Sequence, residues 1–375
     1  MIQVMMAAGE VSGDLHGANL AKALLKERGL SIFGMGGQRM KEAGVEILDS
    51  TIHLSSVGFS EPLRSIPRLY RTLKRLTKAI KERRPRAAIL IDNQGFNLHL
   101  AKTLKREGIA VLYYLPPQIW AFGGWEAKGI ARLITHILAV FRFEEEAWLE
   151  AGAKVSFIGH PFLDMVHPTL PREDAKRYFG LKPDLPTIGL LPGSRTHEIS
   201  RHLPILLDGA KELMMERPAL QFILPLADPI FKEMVLDGLK RKDGPPVTLV
   251  EELRYDAINV CDLIITSSGT ATLEAALLGV PMIIIYRTSA FTWWISRLIV
   301  KTRFAGMPNI ILKRPIVKEL LQGDLGPKEI KEEAIRILDS EEEVYRIKRD
   351  LSYLVPYLGE PGAIGRARDI ILSYL

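Results

Sequence analysis

Short aliphatic runs recur along the chain, separated by longer stretches whose apolar positions fall three and four apart. The first set of runs occupies residues 3–7, 31–34, 87–91, 110–114 and 137–139; the second occupies 187–191, 221–224, 247–250, 263–266 and 282–286. Runs this short and this rich in Val and Ile fit strands buried on both faces, and the longer stretches fit amphipathic helices. Their alternation predicts α/β architecture with mainly parallel sheets. Two sets of five strands predict two doubly wound, Rossmann-like domains, and 375 residues is more than one core comfortably holds. The break between the sets falls at Ile158-Gly159-His160-Pro161-Phe162 and the proline- and charge-bearing stretch up to Pro186. The expected domains are therefore residues 1–165 and 166–354. A helical pattern over 341–354, a break at Pro356 and at 359–362, and a last helix over 363–375 complete the chain, with that last helix expected to pack back onto the first domain.

Four of the runs end abruptly in polar, glycine-containing turns, where an open α/β sheet places its ligands. After the first comes Gly9-Glu10-Val11-Ser12-Gly13-Asp14. Its small residues allow close backbone approach, and the helix start offers free N–H groups to an anion or a sugar hydroxyl. Helix capping by Ser12 or Asp14, a turn at Gly13 and a solvated Glu10 explain the same residues. After 87–91 comes Asp92-Asn93-Gln94-Gly95-Phe96-Asn97, which puts Asp92 where a general base is useful and equally where an Asp caps a loop. After 187–191 comes Pro192-Gly193-Ser194-Arg195-Thr196-His197-Glu198. There Gly193 and Ser194 can present backbone donors and Arg195 can grip a phosphate, whereas the plainer reading is an Arg195–Glu198 helix pair. After 263–266 comes Ser268-Gly269-Thr270-Ala271-Thr272-Leu273-Glu274, offering hydroxyls and N–H groups to a diphosphate and Glu274 to a ribose. N-capping by Ser268 or Thr270 is the alternative.

Composition changes this picture only at the margins. Hydrophobic residues at 47% and charged residues at 25% fit a globular protein and exclude long disordered tracts. Cys261 is the single cysteine, so no disulfide can form within the chain; a reducing cytoplasm fits, and Cys261 reads as a small buried hydrophobe. The N-terminus lacks a basic leader region and reads as a strand. The apolar stretch 277–300 is interrupted by Arg287 and Arg297, so any membrane contact is expected to be peripheral. The net charge of +6 points to nucleic acid, anionic lipid or phosphorylated small molecules without choosing among them. Over 63–80, apolar positions at helical spacing lie opposite a row of Lys and Arg, which suits a membrane surface and equally a helix packed on a sheet. Trp293 and Trp294, beside Arg297 and Lys301, resemble an interfacial anchor. No zinc motif, Walker loop or nucleophile elbow occurs.

Taken in order, these segments resemble the lipid-A-disaccharide synthase family of glycosyltransferases. The resemblance rests on residues 8–14, Gly34-Met35-Gly36-Gly37-Gln38-Arg39-Met40, Val57-Gly58-Phe59-Ser60-Glu61, Ile91-Asp92 with Phe96-Asn97, Ile119-Trp120-Ala121-Phe122, and Phe157-Ile158-Gly159-His160-Pro161. It continues through 191–198 and 268–274 to Met307-Pro308-Asn309-Ile310 and 317–322. It implies a GT-B fold with an interdomain cleft and an inverting transfer from UDP-2,3-diacylglucosamine to 2,3-diacylglucosamine 1-phosphate.

It further implies a donor site of Gly193, Ser194, Arg195, Glu198, Ser268, Gly269, Thr270, Glu274, Asn309 and Gln322 in the second domain. Gly9, Glu10, Ser12, Gly13, Asp14 and Asn97 would face the acceptor, and Asp92 would be the general base. No metal or cofactor and no nucleic acid is called for. The expected location is the cytoplasmic face of the inner membrane, held peripherally, with a homodimer left open. The family usually has a proline and a second acid just after the base; here Asn93-Gln94-Gly95 replaces them, and Pro116-Pro117 stands where Ser-Pro is usual. The rival readings are another GT-B UDP-sugar enzyme, such as an epimerase or a different lipid glycosyltransferase, and a non-catalytic UDP-sugar or lipid-binding protein.

Overall fold

The aliphatic runs become strands of two parallel sheets, all of them inner strands except 247–250, which lies at an edge. The computed structural model describes residues 1–52, 62–119, 126–240, 244–290, 293–294 and 302–375, with side chains in the 62–83 helix described from Ile66 onward. The first sheet contains β1 (Ile2–Ala8), β2 (Leu30–Met35), β3 (Glu46–Asp49), β4 (Ala87–Ile91), β5 (Ala110–Tyr114), β6 (His136–Ala139) and β7 (Val155–Phe157). Their order is β3-β2-β1-β4-β5-β6-β7. The second sheet contains β8 (Thr187–Leu191), β9 (Gln221–Pro225), β10 (Val247–Val250), β11 (Leu263–Ser267), β12 (Met282–Tyr286) and β13 (Glu319–Leu321), in the order β10-β9-β8-β11-β12-β13.

Sheets of seven and six strands exceed the five expected in each. The additional strands β3, β7 and β13 all lie at sheet edges, are only 4, 3 and 3 residues long, and include Glu46, Asp49, Ser156 and Glu319. An edge strand is covered on fewer sides than an inner one, so it needs no unbroken apolar run to be stable.

In each sheet the chain grows outward to one side and then returns to pair on the other side of its first strand. β4 pairs with β1, matching Ala8 to Ile91, and β11 pairs with β8, matching Leu191 to Thr266. The connections after these neighbours diverge to opposite faces, which opens a crevice at the carboxyl ends of the pair.

Met1–Asp164 and Leu358–Leu375 make up one compact unit, and the described residues between Met165 and Tyr357 make up the other. The core of the first joins Met5, Leu90 and Tyr113 from the sheet to Leu76, Ile80, Leu100 and Trp148 from its helices. Truncating a side chain as buried as Leu90 to Ala would cost roughly 2–5 kcal/mol. Asp164 receives the N–H groups of Gly362 and, at 2.9 Å, Ile364, and Arg366 donates to the Ile158 carbonyl at 2.8 Å. These bonds seat the helix Ala363–Leu372, which packs against the helix Val11–Leu24. In the second unit, buried Asp256 accepts the N–H groups of Thr169 (2.8 Å) and Leu170 (2.7 Å), fixing the entering chain.

The helix Pro62–Arg83 buries Thr72, Leu76, Ala79 and Ile80 and exposes Arg68, Arg71, Lys74, Arg75, Lys78 and Lys81. Among the described residues no helix is long and apolar enough to cross a membrane. Residues 57–61 and 120–122 and Arg297 and Lys301, singled out above, lie outside the described residues.

Candidate active site

Both crevices are lined by the turns that the sequence marks. In the first unit Asp92 follows β4 with φ +50°, and Asn93 follows it with φ +41°. Two successive non-glycine residues in the left-handed region cost of order 1–3 kcal/mol each, so the surroundings must hold them. Three hydrogen bonds from two side chains do so. Buried Asn97 donates its amide to the carbonyls of Ile91 (3.0 Å) and Asp92 (2.8 Å), and the Tyr113 hydroxyl donates to the Asp92 carbonyl at 2.7 Å. The Asp92 carboxylate accepts the Ser12 hydroxyl at 3.1 Å and the Asn93 N–H at 3.0 Å, so the turns after β1 and β4 meet at this acid. Gly9 is required here because a Cβ on it would lie 1.8 Å from the Asn93 side chain. Gly13 is buried beside Asp92, and Glu10 is the half-buried residue that precedes the helix Val11–Leu24.

Asp14 has another task. It is buried and accepts the N–H groups of Gly37 (2.6 Å), Arg39 (3.0 Å) and Met40 (3.1 Å), fastening the start of the helix Gln38–Glu42. Burial raises its pKa above the ordinary carboxylate value, against the lowering effect of those same hydrogen bonds. Nearby, His16 is buried against Phe162 with ring centroids 5.0 Å apart, and neither of its ring nitrogens has a hydrogen-bond partner among the described residues. Burial lowers its pKa to about 4.

In the second unit the two switch-point turns are glycine turns. Gly193 has φ +131°, and a Cβ there would lie 2.5 Å from Oε2 of Glu198. Glu198 is buried, accepts the Ser194 N–H at 3.0 Å and pairs with half-exposed Arg195 at 3.5 Å. Gly269 has φ +149°, and among the described residues no atom lies within 4 Å of its Cβ position. Thr270, beside it, is exposed at the start of the helix Thr270–Leu277. Glu274, one turn further on, is buried and receives both Nε (3.1 Å) and Nη2 (2.8 Å) of Arg254 on its Oε2.

The remaining expected donor residues divide between scaffold and site. The Ser268 hydroxyl donates to the Ala305 carbonyl at 2.6 Å. Asn309 is fully buried and fully used: its amide donates to the Val317 carbonyl and to Glu319, and its oxygen accepts the N–H groups of Ile316 and Val317. It therefore secures the chain rather than facing a ligand. Gln322 has φ +51°; its oxygen accepts the Thr288 N–H at 3.3 Å, while its amide nitrogen has no partner among the described residues.

Four further residues carry these turns and were not expected: Tyr113, Arg254, His202 and Glu319. His202, with no exposed surface, bonds the Pro192 carbonyl (2.8 Å) and the Arg287 N–H (3.0 Å). Glu319 accepts the N–H groups of Ala305 (2.8 Å) and Gly306 (2.9 Å) and thereby holds the segment that Ser268 grips. Each lies well away in sequence from the residue it supports, so no local pattern reveals it. Cys261 is buried with its thiol pushed up by burial, as suits an inert packing residue. Among the described residues no group of three or more His, Cys, Asp or Glu is arranged to hold a metal ion.

A model of the family described as Lipid-A-disaccharide synthetase matches residues 4–362. The lipid-A-disaccharide synthase of Syntrophus aciditrophicus is 38% identical over 373 residues, covering 99% of this chain and 97% of that protein. The Geobacter sulfurreducens protein of the same name is 40% identical, covering 100% and 97%, and that of Coxiella burnetii is 36% identical, covering 98% and 97%. Among solved structures, UDP-GlcNAc 2-epimerase from Neisseria meningitidis bound to UDP-GlcNAc superposes with a TM-score of 0.68 at 14% identity, over 99% of this chain and 100% of that one. MurG from Acinetobacter baumannii gives 0.58 at 15% identity, over 100% of each. The fold is thus GT-B, and since the sequence match runs over nearly its whole length, the chain belongs to the lipid-A-disaccharide synthetase family.

Proposed function

We propose that the chain is an inverting glycosyltransferase that joins UDP-2,3-diacylglucosamine to 2,3-diacylglucosamine 1-phosphate, giving the β-1,6-linked disaccharide 1-phosphate and UDP. The observation that carries the reading is positional: the candidate base follows one strand of a switch-point pair, and the candidate diphosphate turns follow both strands of the other. Residues 1–165 with 355–375 would form the acceptor domain, and residues 166–354 the donor domain.

Asp92 would take the proton of the acceptor 6-hydroxyl as that oxygen attacks the donor's anomeric carbon, displacing UDP with inversion. General-base assistance of this kind is worth roughly 10²–10⁴-fold. Ser12, which donates to the Asp92 carboxylate, would orient it. On the donor side, the exposed backbone at Gly269 and Thr270, together with Arg195, would balance the charge of the leaving diphosphate without a metal. Arg254 engages Oε2 of Glu274, and Oε1 would take a ribose hydroxyl. Asp14 and Asn309 belong to the scaffold. The acyl chains call for an apolar surface or a bilayer. The basic outer face of the helix Pro62–Arg83, with Ile66 and Tyr70 exposed on it, supports a peripheral position on the cytoplasmic face of the inner membrane.

The test incubates purified protein with both acylated sugars and follows disaccharide and UDP by mass spectrometry. Wild type yields both products, and Asp92→Ala binds UDP but yields neither. Full turnover by Asp92→Ala would remove the proposed base.

A further inference from the structure

His202 lies in the second turn of the helix Thr196–Glu216, on the side that faces the candidate diphosphate turn. Its ring has no exposed surface, yet each nitrogen meets a backbone group of a different segment. The Arg287 N–H can only donate, so Nε2 must accept and be unprotonated. The ring proton then sits on Nδ1, where it donates to the Pro192 carbonyl. The imidazole is thereby fixed as one neutral tautomer bridging the ends of β8 and β12. The chain of contacts continues, because the Arg287 side chain donates to the carbonyls of Gln322 and Leu325, and the Thr288 N–H donates to the Gln322 side chain. Three separate segments that meet the candidate donor site, at 192–195, 287–288 and 322, are linked through this one ring.

We infer that His202 is a positioning residue for donor binding: it sets the Pro192-Gly193-Ser194-Arg195 turn against the Arg287–Gln322 segment in the arrangement that receives a nucleoside diphosphate. The inference rests on the reading of 193–198 and 268–274 as the UDP site. His202 itself touches no ligand. Its effect reaches the donor through the Pro192 carbonyl, so it belongs to affinity rather than to the transfer step.

The test measures UDP binding by calorimetry, steady-state kinetics with both sugars, and thermal unfolding, on the full chain. His202→Phe keeps a ring but loses both hydrogen bonds; it should raise the UDP Kd and the donor KM at least tenfold, with kcat at saturating donor and the acceptor KM within twofold of wild type. His202→Asn keeps a donor where Nδ1–H was and should weaken UDP binding about threefold. A purely structural role would lower the unfolding temperature without separating KM from kcat. The inference is overturned if folded His202→Phe binds UDP within twofold of wild type. If that variant does not fold, wild-type affinity in His202→Asn overturns it. Wild type that binds no UDP would instead sink the donor-site reading, and this inference with it.

Discussion

The turns of the two switch points reach a similar place by opposite means. In the first unit the critical position must carry a carboxylate, so glycine is not available. Asp92 adopts φ +50° and is held there by Asn97 and Tyr113 donating to its carbonyl. In the second unit the backbone itself is the candidate binding surface, so glycine takes the left-handed positions, and side chains such as His202 and Glu319 brace the turns from behind. A site that presents a side chain bears conformational strain and offsets it with hydrogen bonds. A site that presents N–H groups avoids the strain by using glycine, whose missing Cβ leaves room for Glu198 at position 193 and, among the described residues, open space at position 269.

The largest expected effect follows from the first half of that contrast. Asp92→Asn preserves size and the left-handed conformation that Asn tolerates well, so turnover should fall roughly 10²–10⁴-fold with UDP affinity unchanged. Single-turnover kinetics beside a UDP titration would show the split, and equal losses in both would contradict it.

The buried histidines sharpen the comparison, because His202 has two hydrogen-bond partners and His16 has none among the described residues. The folded-state pKa of His16, about 4, lies below the 6.5 of an ordinary histidine. The unfolded chain therefore binds the proton more readily, and stability falls as pH drops from 6.5 toward 4. The full loss, reached below pH 4, would be about 3 kcal/mol. His16→Leu should flatten that part of the stability–pH curve measured by urea unfolding; a curve unchanged by the substitution would show that other groups set it.

Breaking the other half of the contrast requires only a methyl group. Gly193→Ala would press a Cβ against Glu198 at φ +131°, so UDP affinity should drop at least tenfold while Asp92 is undisturbed. Calorimetry with UDP checks this. The smallest effect is expected from Tyr113→Phe, which removes one of the two side-chain donors to the Asp92 carbonyl. Losing that bond would cost about 1 kcal/mol of stability, and kcat should fall several-fold with donor KM intact. If kcat stayed at the wild-type value, Asn97 alone would suffice to hold the base.

How much of this was legible in the chain follows from how local each signal is. The inner strands announce themselves because burial on both faces demands uninterrupted apolar residues, and Ala87–Ile91 and Met282–Tyr286 fall where the pattern puts them. β3, β7 and β13 gave no such signal, being short edge strands with polar residues. Turn chemistry was equally plain at Gly193 and Gly269. What a linear pattern could not distinguish is a ligand-facing polar residue from one used internally. Asp14 and Asn309 have the right types in the right motifs, and only the folded chain shows Asp14 bonded to residues 37–40 and Asn309 to residues 316–319. Supports that come from a distance, such as Arg254 for Glu274 and Tyr113 for Asp92, are invisible for the same reason.

The return of residues 358–375 to the first unit has a consequence for synthesis. The helix Val11–Leu24 emerges from the ribosome early, yet its packing partner Ala363–Leu372 is made after the whole second unit. The second unit can therefore finish its core while the first still lacks a wall, and the Ile158 carbonyl and the His160 N–H wait for Arg366 and the Leu358 carbonyl to be made. Completion of the unit that carries Asp92 is thus coupled to synthesis of residues 358–375, which follow the whole of the second unit.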